Sequence, residues 1–360
     1  MCKSPLHSFL VSLPKCEHHI HIEGTLSPEA LFALAQSNNI ILPKDDPAFA
    51  SPAALSERYS RFTSLDDFLH YYFIGMSVLM TESDFETLAM DYFVRAKSDG
   101  VHHAELFWDP DAHMSRGVSY ETVVTGLKRG CLRAEKELNI SSLLILCVLR
   151  HLPVETAKST LGLALKAGHF NDGTLGGFGM SGSEKTGKPE DWEAVFSEAK
   201  NVGIRRTAHA GEEGPPSNIQ TSLDTLHVER IDHGRTLAED SNLMKKVAEQ
   251  KILVTLCPLS NICLKGVKTM SEMPIRKFLD AKVHFSLNSD DPAYFGGYIL
   301  DNYCAVQDEF NLSLSEWEDI ASYAIEGSWC SEQRKQTLRN VVYKNSHDFR
   351  AARMPPVRRR

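Results

Sequence analysis

Eight short β-type runs, each followed by a longer helix-patterned stretch, constrain this chain more than any other feature of its sequence. The runs are Lys15–Ile22, Val101–Trp108, Leu143–Arg150, Leu175–Met180, Ile204–Ala210, Val228–His233, Ile252–Cys257 and Val283–Asn288. Segments such as Glu121–Leu138, Glu190–Asn201 and Leu243–Gln250 carry helical periodicity between them. Strands that alternate with helices build parallel sheets, because a parallel pair needs a crossover long enough to hold a helix. Eight such units predict an α/β fold closed as a (β/α)8 TIM barrel, with a doubly wound open sheet as the competing solution. Residues 26–95 form an outsized helical insertion between the first two strands. No linker, low-complexity block or internal repeat divides the chain, so residues 1–360 are expected to form one barrel domain. Residues 351–360, ending in three arginines, read as a basic, frayed tail.

Charge and cysteine usage narrow the function classes. The 39 Lys and Arg against 47 Asp and Glu give a formal charge of −8. An acidic chain lacks the basic face with which a general nucleic-acid binder displaces counterions. No apolar run approaches the roughly 18 residues that span a bilayer. The eight cysteines form no Cys-x-x-Cys pair and read as scattered reduced thiols. The expectation is a soluble cytoplasmic enzyme without nucleic-acid or membrane partners. The basic tail leaves nuclear entry open, and a homo-oligomer is equally open.

Polar residues fall where a barrel would use them. Catalytic groups of such barrels sit at the C-terminal ends of strands. Here the first run ends in His19-Ile20-His21, the fifth in His209, the sixth in His233, and the eighth leads into Asp290-Asp291. His19 and His21 are two apart, so both face the barrel mouth. Imidazole pairs suit zinc or a similar divalent ion, and His209 and Asp290 can complete the set with a position left for water. The plain alternative is that these histidines hydrogen-bond within the core, as His18, His102 and His103 are expected to do. A zinc-bound water has a pKa near 7. His233 can orient or deprotonate such a water, and Glu212 can deliver a proton. Glu212 or Glu213 can instead serve as negative charge at a helix N-terminus.

Two partial motifs fail on inspection. Residues Gly182 to Lys188 match a phosphate-binding loop, but Pro189 stands where a hydroxyl should hold magnesium. His21-Ile22-Glu23 matches half of the cytidine-deaminase signature, and no Pro-Cys-x-x-Cys follows. A binuclear metallohydrolase would want a lysine at the end of the fourth strand, which reads Met180-Ser181-Gly182 instead.

Five segments taken together, from Leu13 to Ser331, resemble the adenosine/adenine deaminase family of metal-dependent hydrolases. They are Pro14 to Gly24, Thr207-Ala208-His209-Ala210-Gly211-Glu212, Ile231-Asp232-His233-Gly234, Cys257-Pro258-Leu259-Ser260-Asn261 and Ser286 to Pro292. The resemblance implies one Zn2+ per chain on His19, His21, His209 and Asp290. It makes Glu212, His233 and Asp290 the catalytic groups, with Glu212 protonating purine N1 and His233 handling the attacking hydroxide. Asp291 would accept a hydrogen bond at purine N7, and the Gly182 amide would face N3. Residues 211–216, 229–234 and 290–298 resemble the adenine-specific, fungal-type branch. Its implied reaction converts adenine, a small-molecule substrate, to hypoxanthine and ammonia in purine salvage. Adenosine, AMP or N6-substituted purines are the alternative substrates, and a non-catalytic purine-binding barrel is the alternative of another class. Glu23 stands where nucleoside enzymes usually carry Asp. Its extra methylene is expected to reach into sugar space as a substrate-binding group, unless it bonds a nearby backbone amide. His18 replaces the leucine usual at that place, a departure expected to alter packing alone. The amphipathic stretch Arg61–Leu69 can roof the pocket or pack as an ordinary helix.

Overall fold

The computed structural model describes residues 3–353. Eight parallel strands form in the expected order: β1 (Lys15–His21), β2 (Val101–Trp108), β3 (Ser141–Leu149), β4 (Leu175–Ser181), β5 (Thr207–Ala210), β6 (Arg230–His233), β7 (Leu253–Leu256) and β8 (Phe285–Leu287). β1 to β4 pair in sequence, and so do β5 to β8. Two seams join these halves. Phe178 pairs with Arg206 at one, and Ile20 with Asp290 at the other. At the second, His21 N–H donates to Asp290 O and Asp290 N–H donates to His19 O, both at 3.0 Å. The barrel is thus closed through the backbone of three candidate metal ligands, which rules out the open sheet.

Most strands are apolar and buried on both faces, as a helix-wrapped parallel sheet requires. β1 is the exception. Its sequence is Lys-Cys-Glu-His-His-Ile-His, yet all seven residues are buried. Burying that many polar groups is costly unless each finds a partner or a ligand. Strands five to eight are shorter than expected: β5 begins at Thr207 rather than Ile204, and β8 spans only Phe285–Leu287. The flanking residues are irregular and lie outside the strands, where a local apolar pattern marks burial but not regular pairing. The expected helix Glu190–Asn201 divides, with a 3-10 turn at Pro189–Trp192 preceding an α-helix at Glu193–Asn201.

The insertion holds helices Pro28–Ser37, Pro52–Tyr59, Leu65–Met76 and Glu82–Ser98. Each starts at a side-chain cap, with Ser27, Ser51, Ser64 and Thr81 accepting the amides of Ala30, Ala54, Asp67 and Asp84. Such caps satisfy one of the amides a helix N-terminus leaves free, for about 1 kcal/mol each. The last helix continues past residue 95 to Ser98. At the other end of the chain, helix Glu332–Arg353 runs into the segment expected to be a tail. The tail's remainder, 354–360, lies outside the described residues. No described helix is long and apolar enough to cross a membrane.

Candidate active site

Strand ends β1, β5 and β8 bring four donor side chains together. His21 Nε2 lies 3.1 Å from His209 Nε2. Asp290 Oδ1 lies 3.3 Å from His19 Nε2 and 3.5 Å from His21 Nε2. All four donor atoms fall within 4.8 Å of one another. Tetrahedral donors about 2.0–2.1 Å from a zinc ion would stand roughly 3.4 Å apart, so the spacing fits. His19 Nε2 is buried and has no hydrogen-bond partner, an expensive arrangement unless a ligand is meant to sit there. Burial depresses His21 to about 4 and His209 well below the usual histidine range, leaving neutral imidazoles. Burial alone would raise Asp290, but His19, His233 and His21 hold its carboxyl well below the ordinary range. Three imidazoles and one carboxylate are a ligand set for a divalent ion. A second grouping of His19, His233, Cys257 and Asp290 also lies within reach. Burial raises the Cys257 thiol well above its usual value, which disfavours the thiolate that binds metals.

The ligands are oriented from behind. His19 Nδ1 meets Thr255 Oγ1 at 2.9 Å, and Thr255 donates to Asp232 Oδ1 at 3.2 Å. Thr207 donates to Asp232 Oδ2 at 2.7 Å, and the same oxygen lies 3.6 Å from His209 Nδ1. Partners of this kind fix which ring nitrogen faces the metal. Asp232 and Thr255 were not singled out from sequence, although Asp232 sits beside His233 in a buried strand. His18, by contrast, faces Ser286 and Ser328 at 3.1 and 2.8 Å, and His103 faces Ser141 and Glu105.

Above the ligands lies a cleft bordered by His21, His209, Glu212, His233, Asp290, Asp291 and Gly182. Glu212 is 4% exposed. Burial, then the charges of Asp290, Glu184 and Glu213, raise its carboxyl well above the usual range, which favours the protonated acid. His233 Nε2 lies 3.5 Å from Glu212 Oε2 and 3.8 Å from Asp290 Oδ2, and burial keeps its ring neutral. His233 and Asp290 both take left-handed backbone angles, φ +63° and +64°. Non-glycine residues seldom adopt that region, and such strain clusters at functional sites. Gly182, at φ +92°, borders the cleft.

Asp291 lies at the cleft beside Asp290, and burial and the Asp290 charge raise its carboxyl well above the carboxylate range. The carboxyl packs so tightly on Gly24 that a Cβ there would fall 2.0 Å from Oδ1. Glu23 makes other contacts than expected. It does not border the cleft; its Oε1 accepts the Asp109 amide at 3.1 Å and His113 Nε2 at 2.9 Å. The backbone-amide alternative is the one found, because residues 109–113 turn back across the end of β1.

The loop that resembles a phosphate cradle does the reverse of cradling phosphate. Glu184 puts its own carboxylate into a nest of amides from Gly211, Glu212, Glu213 and Gly214, at 2.8 to 3.0 Å. Asn218 Nδ2, in the first turn of helix Pro216–Asp224, donates to it at 2.9 Å. The anion at that helix N-terminus is therefore Glu184 and not Glu212 or Glu213. Glu213 instead pairs with Lys185 at 2.8 Å. The roof is helix Leu65–Met76, which lays Leu65, Phe68, Leu69, Tyr72 and Phe73 over the cleft. Phe68 packs on Tyr294 and Phe295, ring centroids 5.3 and 4.8 Å apart, just after Asp291 in the chain. Asp109 and Tyr72, both bordering the cleft, were missed from sequence; a lone Asp-Pro after a strand reads as a helix start.

A family model described as adenosine deaminase matches residues 14–345. A relative from Gibberella zeae named adenine deaminase is 56% identical over 338 residues, covering 94% of this chain and 96% of its own. The crystal structure of an adenine deaminase from Arthrobacter aurescens superposes with a TM-score of 0.86 at 40% identity, covering 91% of this chain and 98% of that one. A zinc-bound amidohydrolase structure from Burkholderia ambifaria, at 24% identity and TM-score 0.86, covers 98% and 97% and shares the fold.

Proposed function

The chain belongs to the adenosine deaminase family, and from that premise we propose a zinc-assisted deamination of adenine carried by Glu212, His233 and Asp290. It is a hydrolase that converts adenine and water to hypoxanthine and ammonia. The proposed ligands are His19, His21, His209 and Asp290, holding one ion per chain. A divalent ion bound there would supply a water activated for attack at neutral pH.

The protein's own groups do the rest. C6 of adenine resists attack until its neighbouring ring nitrogen N1 is protonated, which makes the carbon electron-poor. Glu212 holds a proton at neutral pH and gives it to N1. Neutral His233, beside Asp290, takes the proton that the attacking water loses. C6 thereby becomes tetrahedral, and a proton passed to the amino group lets it leave as ammonia. Asp291 holds N7, and the Gly182 amide holds N3, so the ring cannot turn. Leu65, Phe68 and Leu69 exclude bulk water, which preserves the raised pKa of Glu212. The product, hypoxanthine, suits a place in purine salvage.

The observation that supports this reading best is the buried Glu212 carboxyl, 3.5 Å from His233, beside four convergent metal donors. A binding module needs the cleft but neither proton-handling group. The test is to incubate the purified protein with adenine, adenosine and AMP separately and follow the ultraviolet change from 6-amino to 6-keto purine. Turnover of adenine well ahead of the others is expected. Preference for adenosine or AMP would overturn the substrate assignment.

A further inference from the structure

Asn288, Ser289 and Asp290 follow β8, which ends at Leu287, so regular pairing does not hold them. Asp290 takes a left-handed backbone, φ +64°. A non-glycine residue stays in that region only where its surroundings over-determine it. Something must therefore fix this turn, because it aims a proposed metal ligand.

Residues of β1 supply the restraints one by one. Asn288 Oδ1 accepts the His18 amide at 2.8 Å. Asp290 exchanges backbone hydrogen bonds with His19 and His21. Between them, Ser289 gives both of its donors to one side chain. Its amide donates to Glu17 Oε1 at 3.1 Å, and its hydroxyl donates to the same oxygen. Glu17 Oε2 accepts the Tyr92 hydroxyl at 2.7 Å. Tyr92 is buried on helix Glu82–Ser98, so the insertion grips this carboxyl from one side while the carboxyl grips the β8 turn on the other. The pairing of β1 with β2 slips between Glu17 and Ile20, three steps against two. An extra residue of this kind re-aims the side chains beside it, and Glu17 meets Tyr92 and Ser289 while His19 meets Thr255.

We propose that Glu17 is a positioning residue for the metal site: braced by Tyr92, its carboxyl holds Ser289 and so fixes the turn that points Asp290 at the ion. The inference rests on the metal-site reading above. Ser289 is 1% exposed, so without Glu17 its amide and hydroxyl would be buried donors lacking an acceptor. Only a shift of the turn would relieve them, and that shift disturbs the spacing of Asp290 Oδ1 from His19 Nε2 and His21 Nε2. The helical insertion thus does more than roof the cleft. Through Tyr92 and Glu17 it also steadies a ligand. A buried carboxyl that served folding alone would change stability and leave metal affinity where it is.

The test measures zinc affinity by competition with a chelator, beside kcat and KM for adenine, in wild type and three full-length variants. Glu17→Met keeps the bulk and removes the acceptor. Zinc should then bind about 10–100-fold more weakly, the usual worth of a group behind a metal ligand. At saturating zinc, kcat should fall by about tenfold while KM holds, because Asp290 acts after the purine is bound. Glu17→Gln presents an oxygen to Ser289 and an N–H to the Tyr92 hydroxyl, so zinc affinity should return to within about threefold of wild type. Tyr92→Phe removes one oxygen atom and should weaken zinc binding by about tenfold, the lower end of that range. A folded Glu17→Met with wild-type zinc affinity would overturn the proposal, as would a Glu17→Gln as weak as Glu17→Met. If Glu17→Met fails to fold, Tyr92→Phe decides, and unchanged affinity there overturns the role. In each case wild type still binds zinc and deaminates adenine, so the function stands, whereas wild type that binds no zinc would sink the metal site itself.

Discussion

Glu184 accepts the backbone N–H of Glu212 at 2.8 Å, although the two lie 28 residues apart on loops from different strands. The same carboxylate takes three neighbouring amides, so the loop carrying the proposed acid is held by one side chain. Glu184→Gln would turn an N–H group toward amides that need an acceptor. We expect a stability loss of about 2–3 kcal/mol in urea unfolding, from amides left unmet. Turnover should fall by about tenfold or more as Glu212 loses its position, with metal content unchanged. Wild-type stability and turnover in this variant would show that the loop holds itself.

Glu212→Gln removes the proton donor but keeps the shape. Purine binding and metal content should persist while kcat falls about 10²–10⁴-fold, the usual worth of general acid catalysis. Near-normal turnover would remove Glu212 from that role.

His21→Ala should lose metal and activity together, since His21 Nε2 lies 3.1 Å from His209 Nε2 and 3.5 Å from Asp290 Oδ1. Elemental analysis should find metal reduced by about tenfold or more after dialysis. A stoichiometric ion in that variant would mean that the ligands are other than His19, His21, His209 and Asp290.

Much of this site was legible in the sequence because strand order fixes where strand ends gather. His19, His21, His209, His233 and Asp290 all follow from counting eight strands and reading what stands at their C-termini. What escaped depends on contacts between distant loops. Nothing local to Gly182-Ser183-Glu184 says that its carboxylate will fill a nest at residues 211–214. Asp109 reads as a helix-initiating Asp-Pro until the ends of β2 and β4 are seen to meet across β3, with Ser181 against its carboxyl. Strand lengths erred for a related reason: apolar residues such as Ile204 and Val283 are buried beneath the barrel without joining its ladder.

Glu23 shows the same limit and yields its own prediction. Side-chain length suggested a group reaching into the substrate, whereas Glu23 spends Oε1 on His113 and the Asp109 amide. Glu23→Asp would withdraw the carboxylate from both. The expected result is a loss of about 1–3 kcal/mol of stability, with no gain in adenosine turnover. Adenosine deamination raised by an order of magnitude would restore the steric reading.

Lys15 gives a test far from the chemistry. It lies at the start of β1, fully buried, with Nζ donating to the carbonyls of Leu10 and Leu13. Burial lowers its pKa from 10.5 to about 7, only partly offset by Asp99. Between those values the unfolded chain binds a proton that the folded chain does not. Stability from this group must therefore rise with pH from about 7 toward 10.5 and be least below 7, at a slope of up to about 1.4 kcal/mol per pH unit. Lys15→Met removes the titration and leaves every other group in place. Subtracting its unfolding free energy from that of the wild type should give a difference that grows by about 2 kcal/mol between pH 7 and pH 9. A flat difference would mean that Lys15 stays charged inside the fold, held by its carbonyls and Asp99.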